Sequence, residues 1–134
     1  MLVDDNPADL FLAREAFAEF NGGIHLTTCS SALGALDHLR DSNTTRPDVI
    51  ITDLNMPGLS GLDLIGLLKA DPALRLIPVV ILSTSSAEED ILEAYSLHAS
   101  SYMVKAKTFP EFLAQIDAFV AYWRGVQHAK QRHR

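Results

Sequence analysis

Short apolar runs of strand length alternate along the chain with longer segments of helical spacing. The runs are Met1–Val3, Ile24–Leu26, Val49–Ile51, Pro78–Leu82 and Tyr102–Val104. Such alternation predicts βαβ units and a parallel sheet. Right-handed crossovers would then cover both faces, so five strands and five helices predict a doubly wound α/β sandwich. A chain of 134 residues suits a single domain spanning 1–134, with enough length to bury a core unaided by disulfides or structural metal. The first strand is brief, with three residues before an acidic pair, and its natural start is expected upstream of Met1.

Helix signals fall between the runs. Asn6 followed by Pro7 reads as an N-cap with proline in the first turn, and Leu10, Ala13, Phe17 and Phe20 recur on one face. Ser86-Ala-Glu-Glu89 and Thr108-Phe-Pro-Glu111 have capping-box form and each predicts a helix start. The last helix is expected over about 109–127. Its apolar stripe is Phe109, Phe112, Leu113, Ile116, Phe119, Val120 and Trp123. Gly58 and Gly61 read as loop and helix-opening glycines, and no P-loop or dinucleotide fingerprint is present.

Charge narrows the partners. Seventeen acidic residues against eleven Lys and Arg leave a net charge of −6, which argues against nucleic-acid binding by the body of the domain. The basic run His128–Arg134 reads as a solvated helix end. A single cysteine, Cys29, rules out an internal disulfide and fits a reducing, cytoplasmic setting. The longest apolar run is too short to cross a bilayer, so no membrane association is expected. The five histidines show no metal-ligand spacing with Cys29 or with one another.

Three carboxylates fall at predicted strand ends: Asp4 and Asp5 after the first, Asp53 after the third. In a sheet of order 2-1-3-4-5 those strands are neighbours, so the acids converge. Clustered anions raise one another's proton affinity. A hard divalent cation relieves this, and Mg²⁺ takes carboxylates, a carbonyl, waters and phosphate oxygens. Lys105 follows the fifth strand and Ser83 ends the fourth, placing an ammonium and a hydroxyl at the same end of the sheet. Acid cluster, hydroxyl and lysine together suit phosphoryl transfer, where a protein mainly positions groups and neutralises charge.

The chain resembles a response-regulator receiver domain along nearly its whole length. The matching residues are Val3-Asp4-Asp5-Asn6-Pro7, Asp53-Leu-Asn-Met-Pro-Gly58, Pro78-Val-Val-Ile-Leu-Ser83 and Ser101-Tyr-Met-Val-Lys105. The resemblance implies a flavodoxin-like receiver fold with Asp53 as phosphoacceptor from a sensor histidine kinase or phosphotransfer protein. It implies Mg²⁺ on Asp5, Asp53 and the Asn55 carbonyl, with Asp4 acting through water. It further implies that Ser83 and Lys105 hold the phosphoryl group, that Asp4 assists, and that Tyr102 follows Ser83 as a switch. The Ser83-Thr-Ser85 and Asn6-Pro-Ala-Asp9 wording and the aromatic last helix are similar to single-domain regulators paired with phytochrome-type kinases. Some of that subgroup form homodimers through the last strand and helix.

Two positions depart from the family pattern. Ala106 stands where proline usually follows the lysine, and a non-proline cis bond costs about 2.5–4 kcal/mol, so a trans bond is expected. Thr84 is larger than the residue usual after the switch hydroxyl and is expected to narrow access. Two other readings compete. A phosphatase working through an aspartyl-phosphate needs a titrating acid where Asn55 stands. A phosphorylation-independent binding module would be expected to have lost one of Asp4, Asp5, Asp53, Ser83 or Lys105. No output domain is expected after the last helix, so output would pass through protein contact, or the protein would serve as a phosphate sink or a relay intermediate.

Overall fold

The computed structural model describes residues 1–18 and 24–125. Strands and helices alternate in the order β1 (Leu2–Val3), α1 (Pro7–Ala18), β2 (Thr28–Cys29), α2 (Ala32–Arg40), β3 (Ile50–Thr52), α3 (Gly61–Ala70), β4 (Val79–Ser83), α4 (Glu88–Ser96), β5 (Ser101–Val104) and α5 (Phe109–Gly125). All pairings are parallel and the sheet order is β2-β1-β3-β4-β5. This is the doubly wound architecture expected from the alternation.

Side chains alternate between the faces of each strand, and this splits the core in two. Val3, Ile50, Val79 and Ile81 point to the layer built by Leu36 of α2, Leu64, Ile65 and Leu68 of α3, and Ala94 of α4. Leu2, Ile51, Val80 and Leu82 point the other way, to Leu10 and Ala13 of α1 and Phe112, Ile116 and Phe119 of α5. Strands covered on both faces read as unbroken apolar runs, which is why all of Val79–Ser83 is buried. Each large side chain fully withdrawn from water contributes about 1.5–3 kcal/mol.

Several boundaries differ from the sequence expectation. The second strand is Thr28–Cys29, not Ile24–Leu26. Only residues opposite Leu2 and Val3 can join the β1 ladder, and those are Thr28 and Cys29. Ile24 and Leu26 instead pack partly buried against the α1–α5 layer. Ser86 does not cap α4: Ala87 is the N-cap residue and offers no side-chain cap. Ser85 supplies the hydroxyl, accepting from the Ala87 N–H at 3.2 Å and donating to Asp90 at 2.6 Å.

Other helix signals hold. Asn6 Oδ1 accepts the Ala8 and Asp9 N–H groups, and Thr108 Oγ1 accepts from Glu111 and donates to its carboxylate. Phe109 is exposed, so the buried stripe of α5 begins at Phe112. Phe20, the end of the last helix at 126–127 and the basic run 128–134 lie outside the described residues.

Candidate functional site

Ladder hydrogen bonds place the acids. The Asp4 N–H donates to the Cys29 carbonyl at 3.0 Å and the Asp53 N–H to the Val3 carbonyl at 2.9 Å. Asp4 and Asp53 are thus held side by side just past β1 and β3, at the carboxyl edge of the sheet. One carboxylate oxygen each from Asp4, Asp5 and Asp53 lie within 4.8 Å of one another. Asp4 is buried, Asp53 half-buried and Asp5 exposed. Asp4 Oδ1 accepts the Asn6 N–H, and Asp53 Oδ1 accepts the Leu54 N–H. Burial pushes the Asp53 pKa up, the nearby Lys105 charge opposes this, and Asp4 reinforces it; the net direction is upward.

The lysine arrives from the far side. The Lys105 N–H continues the β4–β5 ladder by donating to the Ser83 carbonyl at 2.6 Å. Its ammonium lies 3.1 Å from Asp4 Oδ2 and 3.0 Å from Asp9 Oδ2. Burial alone would lower the Lys105 pKa, but Asp9, Asp4 and Asp53 together outweigh it and the pKa rises. Among the described residues no ion pair joins Lys105 to Asp53. From the sequence Asp9 stands only as the end of the Asn6-Pro-Ala-Asp9 motif, with no role at the site. The signal available was its place two residues into α1, on the turn that faces the sheet edge.

Ser83 and Tyr102 are brought together, but through Ser85 rather than through the carboxylates. Ser83 is fully buried, and its Oγ accepts the Ser85 N–H at 3.1 Å. The Tyr102 hydroxyl donates to the Ser85 carbonyl at 2.9 Å, and the Tyr102 N–H donates to the Tyr95 hydroxyl at 3.1 Å. Asn55 and Thr84 are exposed on the loops beside the acids. No cis peptide occurs among the described residues, so the Lys105–Ala106 bond is trans as expected. Burial pushes the Cys29 thiol up, which suits an inert cysteine.

Two glycines shape the rim. Gly58 sits at φ 75°, a backbone region where a side chain is disfavoured. Gly61 opens α3 directly against Asp53: a Cβ there would lie 2.1 Å from the Asp53 carbonyl oxygen. The Ser60 hydroxyl and Asp63 carboxylate complete a capping box at this helix start. It has the Ser-x-x-acid form, with Asp in place of the usual Glu or Gln.

Residues 1–117 match the response regulator receiver domain family. The chain belongs to that family. Response regulator Rcp1 of Synechocystis sp. is 30% identical over 127 residues, covering 92% of this chain and 86% of Rcp1. The phosphorylated cyanobacterial phytochrome response regulator RcpA superposes with a TM-score of 0.90 at 34% identity, covering 96% of both chains. The Mn²⁺-bound form of Rcp1 superposes at 0.88 with 29% identity, again covering 96% of each.

The receiver's acid cluster fits a divalent metal on its own chemistry. Three oxygen donors within 4.8 Å suit a hard cation, and the exposed Asp5 side leaves room for the waters Mg²⁺ retains. Mg²⁺ is thus the cofactor this pocket suits. No helix among the described residues is long and apolar enough to cross a membrane.

Proposed function

We propose that this receiver accepts a phosphoryl group on Asp53 from the phosphohistidine of a sensor histidine kinase. The observation that carries the reading is the convergence of Asp4, Asp5 and Asp53 with the Lys105 ammonium tied to Asp4. Asp5, Asp53 and the Asn55 carbonyl would hold Mg²⁺, with Asp4 reaching it through water. Bound there, the ion would supply positive charge against the phosphoryl oxygens.

The chain's own residues do the rest. An Asp53 carboxylate oxygen attacks phosphorus while the phosphorus–nitrogen bond breaks, and the imidazole leaves and takes up a proton. Lys105 and Ser83 then hold phosphoryl oxygens. For this the Ser83 hydroxyl donates its O–H to a phosphoryl oxygen, while its oxygen is the acceptor of the Ser85 N–H, and Ser85 in turn is what Tyr102 holds. A new charge of about −1.5 to −2 is enough to bias such a loop. The protein catalyses only its own phosphorylation and loss of phosphate.

The similarity to RcpA and Rcp1 supports a phytochrome-type kinase as the donor. The −6 charge supports output through protein contact rather than through nucleic acid. Exposed Val104, Phe109 and Tyr122 support a homodimer through β5 and α5, which light scattering would read.

The deciding experiment is intact mass after incubation with Mg²⁺ and a small phosphodonor, for the parent and Asp53→Asn. One phosphoryl gained by the parent alone, and lost on chelation, is the expected result. If neither chain gains mass from the small donor or from a phosphorylated kinase, the reading fails. Transfer from a phytochrome-type kinase no faster than from an unrelated one would remove the light-sensing pairing and leave the rest.

A further inference from the structure

Asp9 takes no part in the phosphoryl chemistry above, yet it makes one of the two ion pairs of Lys105. The lysine side chain is 12% exposed, Asp4 5% and Asp9 33%. The backbone around Lys105 is fixed as well. Ala106 keeps the N–H that a proline would lack, and that N–H donates to Gln115 Oε1 at 2.9 Å. Gln115 Nε2 donates to the Val104 carbonyl at 2.6 Å. One amide on α5 thus grips the peptide on either side of the lysine.

We propose that Asp9 and Gln115 are positioning residues for Lys105: Gln115 fixes its backbone, and Asp9 draws its ammonium toward α1 in competition with the phosphoryl group. The inference rests on Asp53 being the phosphoacceptor. An ammonium is a point charge on a flexible stem and moves readily between anions. Lys105 pairs with Asp4 and Asp9 and not with Asp53, so it must give up part of that hold to reach a phosphoryl oxygen. Asp9 is the more exposed partner and the more screened by water and salt, so its contact is the one released. The two residues therefore act with opposite sign. Asp9 restrains the lysine, and Gln115 keeps it in reach.

The test is the affinity of the Mg²⁺-loaded protein for beryllofluoride, a phosphoryl mimic, by titration calorimetry. Asp9→Asn, which keeps the side chain's shape, is expected to bind about fivefold tighter, and Gln115→Ala about fivefold weaker, the scale of one partly exposed charged contact. Asp9→Glu should restore parent behaviour. The gain of Asp9→Asn over the parent should shrink between about 0.05 M and about 0.5 M salt. With Lys105→Ala added, neither substitution should change the affinity.

Equal or weaker binding by Asp9→Asn overturns the competition. So does an effect that persists without the lysine, since that would mean Asp9 acts only on the local fold. A parent that takes up no beryllofluoride with Mg²⁺ brings down the phosphoacceptor reading itself. A parent that binds while Asp9→Asn is unchanged brings down this inference alone.

Discussion

Ser85 is the residue on which Ser83 and Tyr102 meet, and it carries no charge. Its N–H serves Ser83, its carbonyl serves Tyr102, and its hydroxyl ties Ala87 to Asp90. Tyr102→Phe removes one of these bonds and leaves the ring, so urea unfolding should show a loss of about 1 kcal/mol, the net worth of one hydrogen bond. An unchanged midpoint would mean that water replaces the hydroxyl at no cost. At the acids, Asp5→Asn removes an exposed carboxylate charge without disturbing the core. Mg²⁺ affinity should fall at least about tenfold; an unchanged affinity would exclude Asp5 as a ligand. The carboxylates, Lys105 and Ser83 were legible in the sequence because each ends an apolar run. Asp9 and Gln115 were not, because a helix surface carries many polar residues and only tertiary contact says which of them is used.

At the scale of elements, the strands were legible where both faces are buried and unreliable where pairing is short. β4 was placed to within one residue because five buried positions leave little choice. β2 was misplaced because apolar content and ladder position separate there: Ile24 and Leu26 pack, while Thr28 and Cys29 pair. Capping was misread at Ser86 for a related reason, since three consecutive hydroxyls, Thr84, Ser85 and Ser86, each offer an acceptor and geometry selects Ser85. Gly61 gives the sharpest element-scale prediction. Its N–H donates to the Leu54 carbonyl at 2.9 Å, so α3 begins in contact with the strand end that carries Asp53. Gly61→Ala must move backbone against backbone, and a loss of about 2–3 kcal/mol is expected. The displaced strand end should also weaken Mg²⁺ binding. Ala tolerated with both properties intact would show that α3 can shift without dragging Asp53.

For the whole molecule, the sheet edge concentrates negative charge that folding must carry until a cation arrives. Asp53 has its pKa raised in the folded protein by burial first, with Asp4 adding to it. A raised carboxyl pKa favours folding fully below the ordinary aspartate value of about 4 and loses that contribution as pH climbs through the folded value. Without metal, the parent should therefore have a lower Tm at pH 7 than Asp53→Asn. That gap should close as pH falls toward about 4, where both states of the parent bind the proton. Lys105, whose pKa is raised, loses its contribution only in the alkaline range and leaves this window untouched. Mg²⁺ should reverse the order at neutral pH. At ten times its dissociation constant the ion adds about 1.4 kcal/mol to the parent, and far less to the variant that lacks a ligand charge. Thermal unfolding of both chains at pH 4.5 and 7.5, each with chelator or with Mg²⁺, reads all four corners. A variant that stays less stable than the parent in chelator at pH 7.5 would mean that the hydrogen bond from Leu54 and the pull of Lys105 outweigh burial. The acid edge would then be a stabilising feature of the fold and not a load relieved by metal.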